Sequence, residues 1–553
     1  VDDNFFELGG DSIVSIQLVS RAQSVGVVIT LRDVFEHKTV AGLASVATEV
    51  TRVACAVGDV GIGAVVLTPI MHVLRARGGP IEGLHQSVVL RVPEGLGLNQ
   101  LSGAVQMIMD HHDVLRARFT RSAYDGNGGN DETQEWSWEI VPVGAVAAEG
   151  VVHRVDITGI DGDELSGVLR HQAQVAGSRL DPWAGVMVQV VWFDAGPDRP
   201  GRLLIVIHHL VVDGVSWRIL VPDLATAWRA VTGGQRPQLP AVGTSFRRWA
   251  QHQLDWAHDP ARLEEMPVWV ADRDRADPLL TDRGLDPVTD VVGASGSLTV
   301  TLPPERTVPL LTRVPAVFHG EVNDALLTAL AVAVAQWRHR HGRGDGSAVL
   351  VDVESHGRED IIAGSDLSRT VGWFTSVFPV RLDPGVDWNQ VRAGDAALGT
   401  ALKRVKEQLR ALPNHGVGYG ALRYLNPQTG PALAGLVQPQ IGFNYLGHFP
   451  ASATNPAPGT TEWAIAAETG VLGGGADPRM PLAHGLELNA VTSDDPTGPQ
   501  LHATWSWATG LWAEPEVHEL AQAWFTVLDL LVAHADQPGA GGHTPSDFTL
   551  VTL

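Results

Sequence analysis

The sequence predicts a multi-domain α/β chain in which a small helical unit precedes a much larger region of alternating strands and helices. Three observations predict it. At 553 residues the chain exceeds what one core usually organises, and 44% hydrophobic residues are enough to bury several. Between Ser12 and Val46 the apolar residues recur at helical spacing. From Thr68-Pro69-Ile70 onward, apolar runs such as Leu203 to Ile207 alternate with amphipathic segments, which is an α/β pattern.

Taken in order, Asp2 to Phe6 reads as a loop. A helix begins near Ser12, because Ile13, Ile16 and Val19 follow Gly9-Gly10 at helical spacing. Ser12 then sits at a helix N-terminus, where free amides and the positive dipole end favour a negative group such as a phosphodiester on its hydroxyl. The same local pattern also describes an N-cap serine. A second apolar segment, Leu31 to Val46, closes a small bundle-like unit near residue 50, and Thr51 to Gly63, with small residues and three glycines, reads as a linker. His111 to Phe119 ends one helix and leads into a strand, and Asp125 to Asp131 reads as a surface loop. The strand Leu203 to Ile207 delivers His208 and His209 onto a turn closed by Asp213-Gly214. The helix that follows carries Trp217, Leu220, Val221, Leu224 and Trp228 on one face, and Pro222 kinks it unless that proline lies in the first turn.

Composition excludes several classes. Acidic residues outnumber basic ones 62 to 39, a formal charge of −23, so neither nucleic acid nor an anionic membrane is an expected partner. The single cysteine, Cys55, excludes an internal disulfide and a thiolate metal cluster and agrees with a reducing, cytoplasmic location. The longest apolar stretches, such as Ala325 to Trp337, fall short of the roughly 20 residues that cross a bilayer. The chain opens Val-Asp-Asp without an initiator methionine or signal peptide, so it reads as an excised piece of something longer.

The histidine pair is the sharpest chemical feature. A histidine at a strand end before a glycine turn is suited to general-base work, because its unperturbed pKa of about 6.5 lets it exchange protons near neutrality. The alternative is that His208 and His209 are hydrogen-bonded core residues and Asp213 forms the turn. No metal is expected, since adjacent histidines point in different directions and no third ligand has suitable spacing. Gly416 to Gly420 lacks the full spacing of a dinucleotide loop and reads as a turn.

These residues also carry a resemblance. Phe5-Phe6-Glu-Leu-Gly-Gly-Asp-Ser12 resembles the thiolation motif of peptidyl carrier domains in nonribosomal peptide synthetases, and Asp11-Ser12-Ile13 is the variant usual before an epimerization domain. His208-His209 with Asp213-Gly214 resembles the signature of the condensation-domain superfamily. Asn323 to Ala329, Val353 to Glu359, Arg369 to Thr375 with Phe378 to Val380, Pro413 to Gly420 and Phe443 to Gly447 follow in the order of its epimerization members. The resemblance implies a partial helical-bundle carrier domain over 1–50, lacking its first helix, and a linker over 51–66. It further implies two chloramphenicol-acetyltransferase-like lobes over 67–275 and 276–540, forming a V-shaped domain, and a second linker over 541–553. It implies 4'-phosphopantetheine on Ser12, no metal and no diffusible cofactor. The implied activity is L-to-D inversion of an aminoacyl or peptidyl thioester. His209 and Glu354 are its acid/base residues, and His208, Asp213, Asn444 and Tyr445 support them. Upstream adenylation and downstream condensation domains and a phosphopantetheinyl transferase are the implied partners.

The chemistry is coherent. A thioester stabilises an α-carbanion better than an amide does, and inversion needs one proton-transfer group on each face of the carbon. A buried glutamate can have its pKa raised toward neutrality and so act as acid or base. The competing reading of Glu354 is a helical salt bridge to Arg358. Asn444 could donate its amide N–H to an enolate-like oxygen; alternatively, Asn444 and Tyr445 belong to a packed strand with a turn. Asp213 is expected to be structural, paired with Arg116 or Arg118. The sequence departs from the family pattern at Ser355, where glycine is common, at His448, where glutamine is common, and at Met71 to Leu74, which lack the usual aromatics. These departures bear on loop geometry and channel lining and spare the proposed catalytic residues. Two rivals remain: a condensation domain forming a peptide bond between two carriers, and a catalytically silent carrier-docking domain.

Overall fold

The computed structural model describes residues 1–6, 8, 10, 12–49, 59–121, 135–235, 238–359, 364–386, 388–392, 397–449, 462–472, 475–495 and 497–548. The expected loop Asp125 to Asp131 and the first part of the expected linker fall outside them.

The helical unit begins with α1 (Ser12–Ser24), starting where the glycine pair and the spacing of Ile16 and Val19 predict. The expected second segment is two helices, α2 (Leu31–His37) and α3 (Val40–Val46). Lys38 divides them with a left-handed backbone, φ 50°, and Thr39 restarts the helix by accepting the Gly42 amide at 3.0 Å. Thr30 and Asp33 cap α2 reciprocally. Val19, Ile29, Val34 and Leu43 form the small core, with Phe5 and Phe6 packed against it, and β1 (Val27–Val28) pairs antiparallel with β2 (Thr48–Glu49).

The later part of the expected linker 51–66 already belongs to the next lobe. Asp59 accepts from the backbone and hydroxyl of Ser245, and β3 (Gly63–Val65) pairs with Trp138 to Ile140. A three-residue edge strand is too short to leave a period-2 signal in the sequence, which explains the difference.

The first lobe holds α4 (Pro69–Arg77), β4 (His85–Arg91), α5 (Leu98–His111), β5 (Ala117–Arg121), β6 (Trp136–Ile140), β7 (Val152–Asp156), α6 (Gly162–Ser178), β8 (Val188–Asp194), β9 (Arg202–His208), α7 (Gly214–Thr232) and α8 (Phe246–Ala257). Its four-stranded sheet has the order β4-β9-β8-β7, and a three-stranded sheet has the order β3-β6-β5. Strand β9 is covered on both faces. Leu203, Ile205 and Ile207 join the main core, while Leu204 and Val206 join a second core under α6. That double burial is why Leu203 to Ile207 reads as a continuous apolar run. Pro222 lies inside α7, beyond its first turn.

The second lobe is built on a six-stranded sheet, order β10-β15-β14-β13-β11-β12. Its parts in chain order are β10 (Ser295–Leu302), α9 (Val322–Arg340), β11 (Val349–Ser355), β12 (Ser376–Leu382), α10 (Ala397–Arg410), β13 (Ile441–Phe449), β14 (Leu486–Asp495), β15 (Gly498–Ala508) and α11 (Glu514–Ala535). Alternation divides the faces. Val351, Val353, Ile441, Phe443, Leu486 and Leu488 point into the helix-covered core, leaving Asp352, Glu354, Asn444 and Glu487 on the other face. The apolar Ala325 to Trp337 lies in α9, buried almost all round, and no single helix among the described residues is long and apolar enough to cross a membrane.

The lobes interlock more than boundaries at 67–275 and 276–540 imply. Leu367, Val371, Trp373 and Phe374 pack into the first lobe's core, as do Trp463 and Met480. Trp463 and Ala466 donate their amides to the carbonyls of Arg91 and Val89 on β4, at 2.7 and 2.8 Å. The expected terminal linker 541–553 also differs as far as Phe548. The Gly542 amide donates to Val317, and Asp547 accepts from the fully buried Lys406 at 2.6 Å.

Candidate active site

Strand β9 delivers the histidine pair as its pattern predicts, and the two rings have different surroundings. His208 is fully buried; its Nε2–H donates to the Ile81 carbonyl at 2.8 Å and its Nδ1 accepts the Leu210 amide. Burial pushes it down to about 3, so it stays neutral and structural. His209 donates Nδ1–H to the Val212 carbonyl at 2.9 Å, which leaves Nε2 as an acceptor. Gln86 on β4 occupies that acceptor at 3.2 Å, oriented by the Trp217 indole N–H on its oxygen at 2.8 Å. Burial lowers the His209 pKa, and the Trp373 ring lies 4.5 Å away. The ring is thus a neutral imidazole with its lone pair on Nε2.

Asp213 is structural, but its partner is neither Arg116 nor Arg118. Arg116 donates to the carbonyls of Met109, Asp110 and Val141, and Arg118 pairs with Glu139. Asp213 caps α7 by accepting the Ser216 amide and hydroxyl, each at 2.7 Å, and both its oxygens accept from Arg358 at 3.1 Å. Arg358 also donates to Leu367 and Thr370, so one buried carboxylate ties the two lobes together. The helical salt bridge of Glu354 with Arg358 is therefore absent, since Glu354 is on a strand where the two residues are not turn neighbours. Gly357 makes the turn between them. Its φ is +64°, and a Cβ there would lie 1.8 Å from the Phe374 carbonyl oxygen.

Glu354 opens onto a cavity of about 880 Å³. Asn4, Phe6 and Lys38 of the helical unit line it, as do Glu354, Asn444 and Tyr445. The carboxylate is exposed to this cleft yet enclosed by its walls. That enclosure, with the nearby charges of Glu487 and Asp352, lifts its pKa to about 7 against the opposing charges of His484 and Arg77. Asn444 lies on β13, beside β11, and donates its side-chain amide to Glu354 Oε2 at 3.0 Å. It thus holds the carboxylate through one of its two amide N–H donors. Tyr445 shares a hydrogen bond with Thr492 at 3.1 Å.

His209 does not line the same cavity. Arg77, at the end of α4, acts electrostatically on His209, Glu354 and Glu487 alike, which brings the three into one neighbourhood. Its Nε is buried without a hydrogen-bond partner among the described residues. The sequence reading missed Arg77, Gln86, Asp352, His484 and Glu487. His484 Nε2 meets Asp352 at 2.9 Å and Nδ1 meets Glu487 at 3.3 Å, and although burial disfavours its charge these carboxylates raise it to about 10. Gly442 was a local signal: a Cβ there would lie 2.6 Å from His484 Nδ1.

The departures at Ser355 and His448 are accommodated. Ser355 shares a hydrogen bond with Ser376 across the β11–β12 pair at 3.0 Å, and His448 Nε2 meets Asp494 at 2.8 Å. Gly416 to Gly420, expected as a turn, lies in short helical turns that follow Asn414 and His415, both with left-handed backbones. Among the described residues, His111, His112 and Asp223 bring potential ligand atoms within 4.8 Å of one another. Both Asp223 oxygens already accept from Arg369 at 2.5 Å, and that guanidinium opposes a cation.

Ser12 is the first residue of α1 and lies two positions after Gly10, whose Cβ position is filled by the Phe5 ring. With the helical unit forming part of the cavity wall, this arrangement fits a flexible phosphodiester-linked arm.

Comparison with known proteins agrees. The family profile described as Condensation domain matches residues 81–551, and one described as Phosphopantetheine attachment site matches 1–46. One of the linear gramicidin synthase proteins of Brevibacillus parabrevis is 37% identical over 569 residues, covering 100% of this chain and 7% of that protein. Tyrocidine synthase 1 of Brevibacillus parabrevis is 30% identical over 559 residues, covering 100% and 48%. The chain thus spans only part of these relatives. The solved epimerization domain from the third module of tyrocidine synthetase B has 28% identity and a TM-score of 0.69, covering 86% of this chain and 97% of that one. A condensation domain from the Monacolin K polyketide synthase has a TM-score of 0.60 at 15% identity, covering 85% and 98%, a likeness of fold alone.

Proposed function

The chain belongs to the condensation-domain family and carries a phosphopantetheine attachment site; from that premise we propose that it inverts the α-carbon of an aminoacyl or peptidyl thioester tethered to Ser12. The observation that carries this reading is Glu354, a carboxylate on the cavity wall held at about 7 and fixed through Oε2 by Asn444. Near neutrality such a group is populated in both protonation states, so it can take a proton or return one. His209 is the second group, a neutral imidazole with an accepting Nε2. Gln86 must release that nitrogen before it can receive a proton from the substrate.

When bound, the arm supplies the thioester linkage that makes the neighbouring α-proton abstractable. The chain's own residues do the rest. His209 acts on one face of the α-carbon and Glu354 on the other, each able to begin the exchange, so the reaction runs in both directions. Asp213 and Arg358 keep the lobes, and hence the two groups, in register. His208 fixes the strand end. The resemblance to the solved epimerization domain supports this over condensation. Adenylation and condensation domains on either side are the expected partners.

The test is to load Ser12 with a single L-aminoacyl phosphopantetheine in deuterated water. Inversion gives α-deuterium and a mixed L/D product, condensation needs a second loaded carrier, and a silent docking domain gives neither.

A further inference from the structure

We propose that His484, clamped between Asp352 and Glu487, is a positioning residue that governs proton occupancy at Glu354. This rests on the reading of Glu354 given above and names what regulates it.

The array is built into the open face of the second lobe's sheet. Asp352 is level with Gly442, Gly442 with Glu487, and Glu487 with Ser506, a single row across β11, β13, β14 and β15. Glu354 is two residues along β11 from Asp352 and so on the same face. Gly442, in the centre of the row, has no side chain, and the His484 ring occupies the space that its Cβ would need. Both ring nitrogens face carboxylates, at 2.9 and 3.3 Å, so the ring is an imidazolium with both protons placed. Within the clamp the side-chain exposures are 13% at His484, 20% at Asp352 and 31% at Glu487, so its charges are partly shielded from solvent.

One cation and two anions leave this row net negative beside Glu354. The groups acting on Glu354 from the packed elements are Glu487 and His484 from the β14 side, Arg77 from α4, Asp352 on its own strand, and the uncharged Asn444 from β13. Glu487 and Asp352 favour a protonated Glu354, while His484 and Arg77 favour an ionised one. Burial, the largest influence, also favours the protonated form, and the removal of one clamp member shifts Glu354 in a direction fixed by that member's sign.

The experiment titrates the side-chain carboxyls of full-length, 13C-glutamate-labelled protein by NMR, with Glu354 assigned from Glu354→Gln, and measures the pH profile of α-proton exchange in parallel. Glu487→Gln should move the Glu354 midpoint down by on the order of one pH unit and the acid limb of exchange with it. His484→Gln should move both up, and Glu487→Asp should restore the original values. Unchanged midpoints in both charge variants, or shifts of the same sign, overturn the proposal. The carboxyl titration is independent of turnover, so absence of exchange in the unmodified protein counts against the proposed function and leaves this test standing.

Discussion

Replacing Asp213 should separate the structural from the chemical roles of the histidine motif. The carboxylate makes two bonds that cap α7, at 2.7 Å each, and meets Arg358 through both oxygens at 3.1 Å. Side-chain exposures of 6% for Asp213 and 1% for Arg358 place the pair out of water. Removing one member of a buried pair costs about 3–5 kcal/mol, and losing an N-cap adds about 1 kcal/mol. Arg358 keeps the carbonyls of Leu367 and Thr370, which partly solvate its charge. The cost of Asp213→Ala should therefore lie near the lower end, about 4 kcal/mol. Asp213→Asn keeps the shape and one acceptor and loses the charge, and should cost about 2 kcal/mol by the value of a hydrogen bond to a charged group. Urea unfolding followed by tryptophan fluorescence reads the difference, since Trp217 and Trp373 lie beside the motif. Exchange by the folded fraction of Asp213→Asn should stay within about tenfold of the unmodified protein. Asp213→Ala matching the unmodified chain to within about 1 kcal/mol, or Asp213→Asn losing exchange at full stability, would refute the structural assignment.

Three further outcomes follow from the same geometry. Glu354 is raised from 4.5 to about 7, so between those pH values the folded chain holds a proton that the unfolded chain releases. Its contribution to stability therefore falls as pH rises from 4.5 to 7, and Glu354→Gln should flatten the pH dependence of urea midpoints in that window. Gln86→Ala frees His209 Nε2 and removes a neutral donor from it; the imidazole 15N titration should move upward while the fold, monitored by circular dichroism, is kept. Asp547→Ala leaves the fully buried Lys406 ammonium with the Phe318 carbonyl as its one hydrogen-bond acceptor among the described residues, and should lower the thermal midpoint of unfolding by several degrees without altering exchange at 25 °C.

The parts legible in the sequence are those whose cause is local. Leu203 to Ile207 reads as a buried strand because both of its faces are covered, and it therefore ends at His208 and His209 as expected. The helix at Ser12 follows from local spacing after a glycine pair. What escaped the sequence depends on pairing between distant segments. Arg358 finds Asp213 across the lobe interface, and His484 finds Asp352 across the sheet, with no short-range pattern to announce either. The helical pairing of Glu354 with Arg358 failed because the segment is not helical: the strand ends at Ser355, and the turn at Gly357 sends Arg358 to Asp213. Trp463 and Trp373 packed into the first lobe for a related reason: each is a large apolar side chain in an irregular segment, where periodicity gives no address. Asn444 is another such pairing: on β13 it donates to Glu354 on β11, a contact between segments 90 residues apart.

The central claim is that His209 and Glu354 exchange one α-proton between two faces of a carrier-bound thioester. The most direct measurement loads Ser12 with an L-aminoacyl phosphopantetheine in deuterated water and follows α-deuterium and the L/D ratio by mass spectrometry and chiral analysis. The unmodified chain should incorporate deuterium and approach a mixed product, while Glu354→Gln and His209→Ala should each lower exchange by at least a hundredfold, the lower range of a general acid or base contribution. Equal exchange in both variants and in the unmodified protein would contradict the account.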